Sequence, residues 1–342
     1  MSSPARPSRT VRAIVLRAAL AAFVGTATAG YAAPSGPLAT GNLYPPFLPF
    51  IDLPPAGATT GGQGSFRASV TAEAGNCVQY DPGVIISSLV IYIDAETERL
   101  TFAAAYGVLP RLDLGLRASW IWLGGGGLDA VIEGFHDLFG FDNGPRPYLP
   151  RNDYRFWLRY RGEDWINLRE PASGPGDLTA WATWALVPPG RPGGFALAVR
   201  AGVQFPTGDA SAMLSNGKLD WQVDLLADLP LGSATASLNL GYANLGEPEA
   251  LTMPAFFGHA LAYAAAFSWP VLPRLCLVAQ VDGMTTPYIV RHFMLAWTST
   301  LLQAGARFAV GDRVAVEACF SEEFFSFAAS DFSVTATCSL EL

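Results

Sequence analysis

The stretch Leu112-Asp113-Leu114-Gly115-Leu116-Arg117-Ala118-Ser119-Trp120-Ile121-Trp122-Leu123 decides the fold. Taken by alternate residues, Leu112, Leu114, Leu116, Ala118, Trp120 and Trp122 fall on one face. Asp113, Gly115, Arg117 and Ser119 fall on the other. A period of two with one apolar and one polar face is a β-strand lying between two media. The split recurs in Phe195 to Phe205, where Phe195, Leu197, Val199, Ala201, Val203 and Phe205 oppose Arg200, Gly202 and Gln204. Trp221 to Asp228, Ala234 to Tyr242, Leu302 to Ala309 and Phe332 to Leu342 repeat it.

Composition narrows what such strands build. The chain has 342 residues, 51% hydrophobic and only 15% charged, with a mean hydropathy of +0.28. That is too apolar for a disordered chain. Its 35 glycines show no three-residue period, which excludes collagen. A net charge of −8, with Lys218 the sole lysine, argues against nucleic acid, which needs a basic footprint. The longest uncharged stretch, Ala250 to Pro273, is cut by Pro254 and Pro270, so Ala255 to Trp269 is too short to span a bilayer as a helix.

Residues 1–29 read as a signal peptide: Arg6, Arg9, Arg12 and Arg17, then the apolar run Ala18 to Val24, then the small-residue exit Ala27-Thr28-Ala29. Residues 30–64 form a Pro/Gly-rich segment, and residues 65–342 carry the strands. An exported, apolar chain without a spanning helix is a secreted β-protein or an outer-membrane barrel. Strand length separates the two. The alternating runs extend over about 9 to 13 residues, as a tilted strand needs to cross a bilayer. Connections alternate short (Pro110-Arg111, Pro230 to Gly232, Gly311 to Arg313) with long (Gly124 to Asp153, Pro206 to Leu219, Asn244 to Gly258), as in outer-membrane barrels. Upstream, Ser65 to Glu73, Ser87 to Ile93, Leu100 to Tyr106 and, more weakly, Asp164 to Leu168 are strand-like.

The fold expected is all-β: a transmembrane antiparallel up-and-down β-barrel of about fourteen strands, with twelve and sixteen as alternatives, and one short helix in a long loop. Its place is the outer membrane of a Gram-negative bacterium.

Several segments resemble a bacterial outer-membrane family, domain of unknown function 3187. They are Asp94-Ala95-Glu96-Thr97-Glu98-Arg99-Leu100 leading to Tyr106-Gly107, then Arg111 to Leu116, and Ile132-Glu133-Gly134-Phe135-His136-Asp137-Leu138-Phe139-Gly140. Gly176-Asp177-Leu178, Phe205-Pro206-Thr207-Gly208-Asp209 and the opening Pro37 to Pro45 also fit. The resemblance implies an outer-membrane barrel with no assigned substrate.

Candidate chemistry is sparse. With the polar faces turned inward, the lumen would hold Arg117, Arg155, Arg159, Arg200 and Arg307 with Asp224, Asp282 and Glu317, and also Asp113. Both signs occur, so these charges either pair into a filling network or line a pore without strong ion preference. In the long loop, Leu128, Val131, Ile132, Phe135, Leu138 and Phe139 recur at helical spacing. This helix is expected across the barrel mouth or in the lumen as a constriction, with Glu133, Phe135, His136 and Asp137 as its candidate residues. Glu133 and His136 have the spacing of a carboxylate–histidine metal pair, but further ligands are lacking and no metal is expected. Cys77, Cys276, Cys319 and Cys338 show no metal spacing, and one bridge among them stays open without a nameable pair.

Tyr44 to Pro55 carries Pro45, Pro46, Pro49, Pro54 and Pro55, which forbids a central strand. It either threads the barrel as a plug or forms a periplasmic linker. The leading function is a porin-like channel or passive transporter for small solutes. A structural or surface-interaction barrel with a filled lumen is the alternative. An outer-membrane hydrolase built on His136, His259 or His292 comes third, without a G-x-S-x-G motif. No enzyme activity and no cofactor are expected. Expected partners are outer-membrane lipid, the barrel-assembly machinery and small solutes, with no nucleic acid.

Overall fold

Fifteen strands form among the described residues of the computed structural model, which are 35–83, 88–140, 142–190, 194–249, 256–289, 292–296, 298–323 and 328–342. The signal segment read at residues 1–29 lies outside them. The strands are β1 (Phe66–Asp81), β2 (Leu89–Leu109), β3 (Leu112–Gly124), β4 (Arg155–Tyr160), β5 (Glu163–Leu168), β6 (Ala172–Pro175), β7 (Leu178–Val187) and β8 (Ala196–Phe205). They continue with β9 (Asp220–Leu231), β10 (Ala234–Asn244), β11 (His259–Leu272), β12 (Leu275–Met284), β13 (Ser299–Ala309), β14 (Val314–Glu323) and β15 (Phe332–Glu341). One longer helix, α1 (Asp129–Phe139), sits between β3 and β4.

Twelve strands close a ring of antiparallel neighbours. β1 pairs with β2, β2 with β3, β3 with β7, and each later strand with the next until β15 returns to β1. Closure leaves no free edge in the ring. β4, β5 and β6 lie outside it: β4 pairs with the first six residues of β2, β5 with β4, and β6 with the last residues of β3. The chain enters the ring at Phe66 and leaves at Leu342, which exchange backbone hydrogen bonds at the end carrying the short turns. The opposite end carries the long loops.

The expected count of about fourteen gives way to twelve, the lower alternative. The two upstream candidates, Ser87 to Ile93 (described from residue 88 on) and Leu100 to Tyr106, fall on one strand, β2, which begins at Leu89, because Asp94 to Arg99 stays paired with β1 through Glu73↔Arg99, Gly75↔Thr97 and Asn76↔Glu96. The charges in that stretch mimic a loop in the sequence, yet Arg99 binds Glu73 within the wall at 2.6 Å. Asp164 to Leu168 is a strand, β5, but no part of the ring.

The wall reverses the burial of a soluble protein. Leu114, Leu116, Val223, Leu225, Leu238, Leu240, Leu302 and Val334 are exposed, while Thr71, Glu73, Arg200, Gln222, Asp224, Gln280, Gln303 and Thr335 are buried. Each set comes from alternate positions, so the apolar faces read from the sequence look outward and the polar faces look into the lumen.

Candidate functional site

Residues 35–64 occupy the lumen. Five prolines between Tyr44 and Pro55 remove backbone donors that no neighbouring strand could satisfy there. The remaining donors and carbonyls find polar side chains of the wall. The segment rises along β11, β12 and β13: Gly36 N donates to Ser268 Oγ (3.1 Å), Leu38 N to Gln280 Oε1 (2.8 Å), Thr40 Oγ1 to Gln303 Oε1 (2.8 Å) and Asn42 Nδ2 to Ser299 Oγ (2.8 Å). It turns at Tyr44 to Leu48, where Leu48 N bonds back to Tyr44 O. It then descends along β8, β9 and β10. Gln204 Nε2 donates to Pro49 O (3.0 Å), Ile51 N to Asp220 Oδ2 (3.0 Å), Ala56 N to Asn239 Oδ1 (2.8 Å) and Ala58 N to Asp228 Oδ2 (2.7 Å). Gly61 N reaches Asp113 before β1 begins. Of the two readings of the proline segment, the plug is the one the geometry carries.

Side chains of the plug dock in sockets left by wall glycines. A Cβ on Gly202 would stand 2.8 Å from Leu53, one on Gly305 2.9 Å from Leu38, and one on Gly75 2.9 Å from Leu43. At its apex the plug builds an apolar dome under the loops. Tyr44, Phe47 and Phe50 meet Tyr288 and Phe256, with Phe47–Tyr288 centroids at 6.0 Å and Phe50–Phe256 at 5.5 Å. The Tyr44 hydroxyl lies 2.7 Å from Gln79 Oε1, and the Tyr288 hydroxyl donates to Pro46 O.

The charged candidates of the sequence divide into two groups. Arg117, Arg200, Asp224, Asp282, Arg307 and Glu317 face the lumen. Arg200 opposes Asp224 across β8 and β9 at 2.9 Å, and Arg307 opposes Glu317 across β13 and β14 at 2.8 Å. The arginines spend their other N–H groups on the plug: Arg200 on Pro54 O, Arg307 on Pro37 O, and Arg117 on Asp52 O, each at 2.8 Å. Asp282 accepts from Gln280. Arg155 and Arg159 are corrected: both stand on β4, outside the ring, where Arg155 lies over the Trp157 ring and Arg159 is exposed. Between the plug limbs and the wall lies a cavity with about 70 Å³ open to the centres of water-sized molecules, bordered by Asp52, Arg99, Arg117, Arg200, Asp224 and Asp282. It suits a few waters rather than a bulky solute.

Helix α1 is also not where the sequence reading places it. Phe135 packs on Phe320 and Phe332, centroids 5.6 and 6.1 Å away. Both alternate with lumen-facing residues (Cys319 and Ser321 on β14, Ser333 on β15), so the helix lies on the outside of the wall at the loop end rather than across the mouth. His136 is buried, with Nε2 3.9 Å from Glu322 Oε1. Glu133 pairs with Arg151, and Asp137 accepts from Asn143. The two residues of the metal-pair reading thus face different partners. His259 stacks on Tyr242, and His292 Nε2 lies 2.7 Å from Asp81 Oδ2.

A closed twelve-strand ring with an inverted wall matches known proteins. Residues 14–339 match the family described as "Protein of unknown function (DUF3187)". The chain belongs to that family. No curated protein matches it. Among solved structures, the DUF3187 barrel resembles the COG4313 outer membrane channel from Pseudomonas putida F1, at a TM-score of 0.53 and 13% identity over 85% of this chain and 100% of that one. A Pseudomonas aeruginosa FadL homologue gives a TM-score of 0.38 at 12% identity, covering 92% of this chain and 99% of that one.

Two segments of the DUF3187 resemblance turn out to be one clasp. Asp177, between β6 and β7, accepts from Thr207 N (2.9 Å) and Gly208 N (2.8 Å) with one carboxyl oxygen, and from Ser215 and Gln204 with the other. Burial pushes its carboxyl above the usual range, and these four donors pull it back only in part. Gln204 in turn holds Pro49 of the plug, so the clasp fixes the loop end of the descending limb. Gly107 does the same at the turn end: its N and O bond to Ser65 O and Gly64 N, and a Cβ there would meet Gly62 O at 1.7 Å. Sequence reasoning placed Gln204, Gln222 and Asn239 on polar faces but did not single them out as plug receptors. Their signal was an uncharged amide facing inward from a strand.

Proposed function

We propose that this protein is a passive channel for small solutes across the outer membrane of a Gram-negative bacterium, gated by displacement of residues 35–64 from the lumen. The observation that carries the reading is the way the plug is held. Its main-chain groups bond to polar wall side chains, and each such bond nets only about 0.5–1.5 kcal/mol because water replaces both partners. A lumen lined by glutamines, aspartates and arginines stays solvated once the plug moves, whereas an apolar core would not. The Pseudomonas putida neighbour is an outer membrane channel, which is in keeping with this reading. The apolar dome of Tyr44, Phe47 and Phe50 favours the second reading, a barrel whose filled lumen is structural.

A reversible lock separates them. A Cβ built on Gly202 lies 3.3 Å from Leu53 Cγ, the position that the sulfur of a cysteine introduced in place of that leucine would take. The Leu53→Cys/Gly202→Cys barrel in planar bilayers is expected to be silent when oxidised and to open in steps like the native chain when reduced. Silence from the native chain, and from a folded chain lacking residues 36–60, would leave the structural barrel as the function.

A further inference from the structure

The outside of the ring carries a second feature that a lumen-centred function does not use. At the loop end, the outward positions of β1, β2 and β14 are polar: Asn76, Glu96 and Glu322. Helix α1 and its flanks cover them. Glu96 Oε2 accepts from Gly127 N (2.6 Å) and Leu128 N (2.8 Å), fastening the start of the helix. Arg146 donates to Asn76 (2.6 Å) and Asp129 (3.1 Å) and pairs with Asp331, fastening the return. Asp129, Ile132 and His136 are buried against the wall by these bonds.

The helix therefore meets the wall with Asp129, Ile132, Phe135 and His136, which leaves Val131 and Leu138 on the side turned from it, 57% and 77% exposed. Phe139, whose ring centroid lies 4.7 Å from that of Phe135, is 60% exposed at the end of the helix. Phe135 links that edge to Phe320 and Phe332, the last apolar residues of the outward belt. An exposed apolar stripe continuous with a belt that faces hydrocarbon has one solvent in common with it.

We infer that α1 is an interfacial helix, bedded by Val131, Leu138 and Phe139 in the acyl region of the outer leaflet, where it replaces a polar patch of the wall with a lipid-binding edge. The inference rests on the reading of the outward belt as lipid-facing, and its test separates the two. Nitroxide labels are placed in the full-length folded barrel in lipid vesicles at native Cys338, which is exposed on β15, and at Leu138→Cys and Tyr148→Cys in a Cys338→Ser background. Cys77, Cys276 and Cys319 are buried and take no label. Tyr148, 89% exposed beyond the helix, is the aqueous reference. Collisions with oxygen, set against collisions with a water-soluble nickel chelate, report the surroundings. The ratio at position 138 is expected to match Cys338 and to exceed position 148 several-fold. A ratio at 138 equal to that at 148, with Cys338 still in lipid, overturns the interfacial helix. An aqueous ratio at Cys338 overturns the lipid belt and the helix with it.

Discussion

Gly202→Val puts a side chain into the socket that holds Leu53. The strand itself gains from the change, because valine is a better β-residue than glycine and Gly202 is already paired on both sides, with Trp181 and Gln222. The plug loses. Leu53 is 5% exposed, and a Cβ alone would come within 2.8 and 2.9 Å of its two methyls. One methyl group can be met by a small turn of the leucine, but the γ-carbons of valine cannot. Expelling a buried leucine forfeits about 1.5–3 kcal/mol. A loss of about 2 kcal/mol in plug docking raises the unplugged fraction about 30-fold. Open probability in planar bilayers reads this directly, and heat-modifiable migration on gels shows that the ring is intact. Leu53→Ala, which empties the socket instead, is expected to act in the same direction. Combining the two restores the volume, so the double variant is expected to conduct less than either single one, with a coupling of about 1–2 kcal/mol. Strictly additive effects, or native open probability for Gly202→Val, would refute the docking of Leu53 as what keeps the lumen filled.

Other sites give separate expectations. Arg200→Ala leaves the buried Asp224 carboxylate with Gln222 as its one side-chain donor among the described residues, so thermal unfolding should show a loss of about 3–5 kcal/mol, much reduced when Asp224→Ala is added. Arg146→Ala removes the bond from the α1 loop to Asn76, Asp129 and Asp331; limited proteolysis should then cut between residues 129 and 152 while the ring survives. Burial holds the Asp331 carboxyl above its usual range, with Arg146 opposing the shift. A carboxyl whose folded pKa is raised binds its proton more tightly when folded, so Asp331 lowers the stability of the whole barrel as pH rises from the ordinary carboxylate range through the raised one. Thermal unfolding of the barrel should therefore come at a lower temperature at pH 8 than at pH 5. Gly107→Ala forces a Cβ onto the Gly62 carbonyl and should release the base of the plug, read as a higher open probability.

The alternation in Leu112 to Leu123, repeated in β8, β9, β10, β13 and β15, gave each strand one apolar and one polar face, because a side-chain period of two is a property of the backbone and needs no partner. Strand length and the short and long connections then named a barrel rather than a sandwich. The short and long connections distinguish a turn end from a loop end for the same local reason. The strand count was not legible in this way. Asp94 to Arg99 looks like a loop until Glu73 stands opposite Arg99, and that pairing joins residues 26 positions apart. Prolines between Tyr44 and Pro55 excluded a strand, yet whether that segment hangs free or fills the lumen depended on Gln204, Asp220, Asn239 and Asp228 converging on it from strands far along the chain. Helix α1 was recognisable by its period of three to four, but the period gives only a stripe. Which side of the wall receives that stripe was decided by Glu96 and Arg146, which fasten the helix and its flanks to the outside of the ring and leave Val131 and Leu138 exposed. Local pattern sets each element and its two faces; only the closing of the ring decides what each face meets.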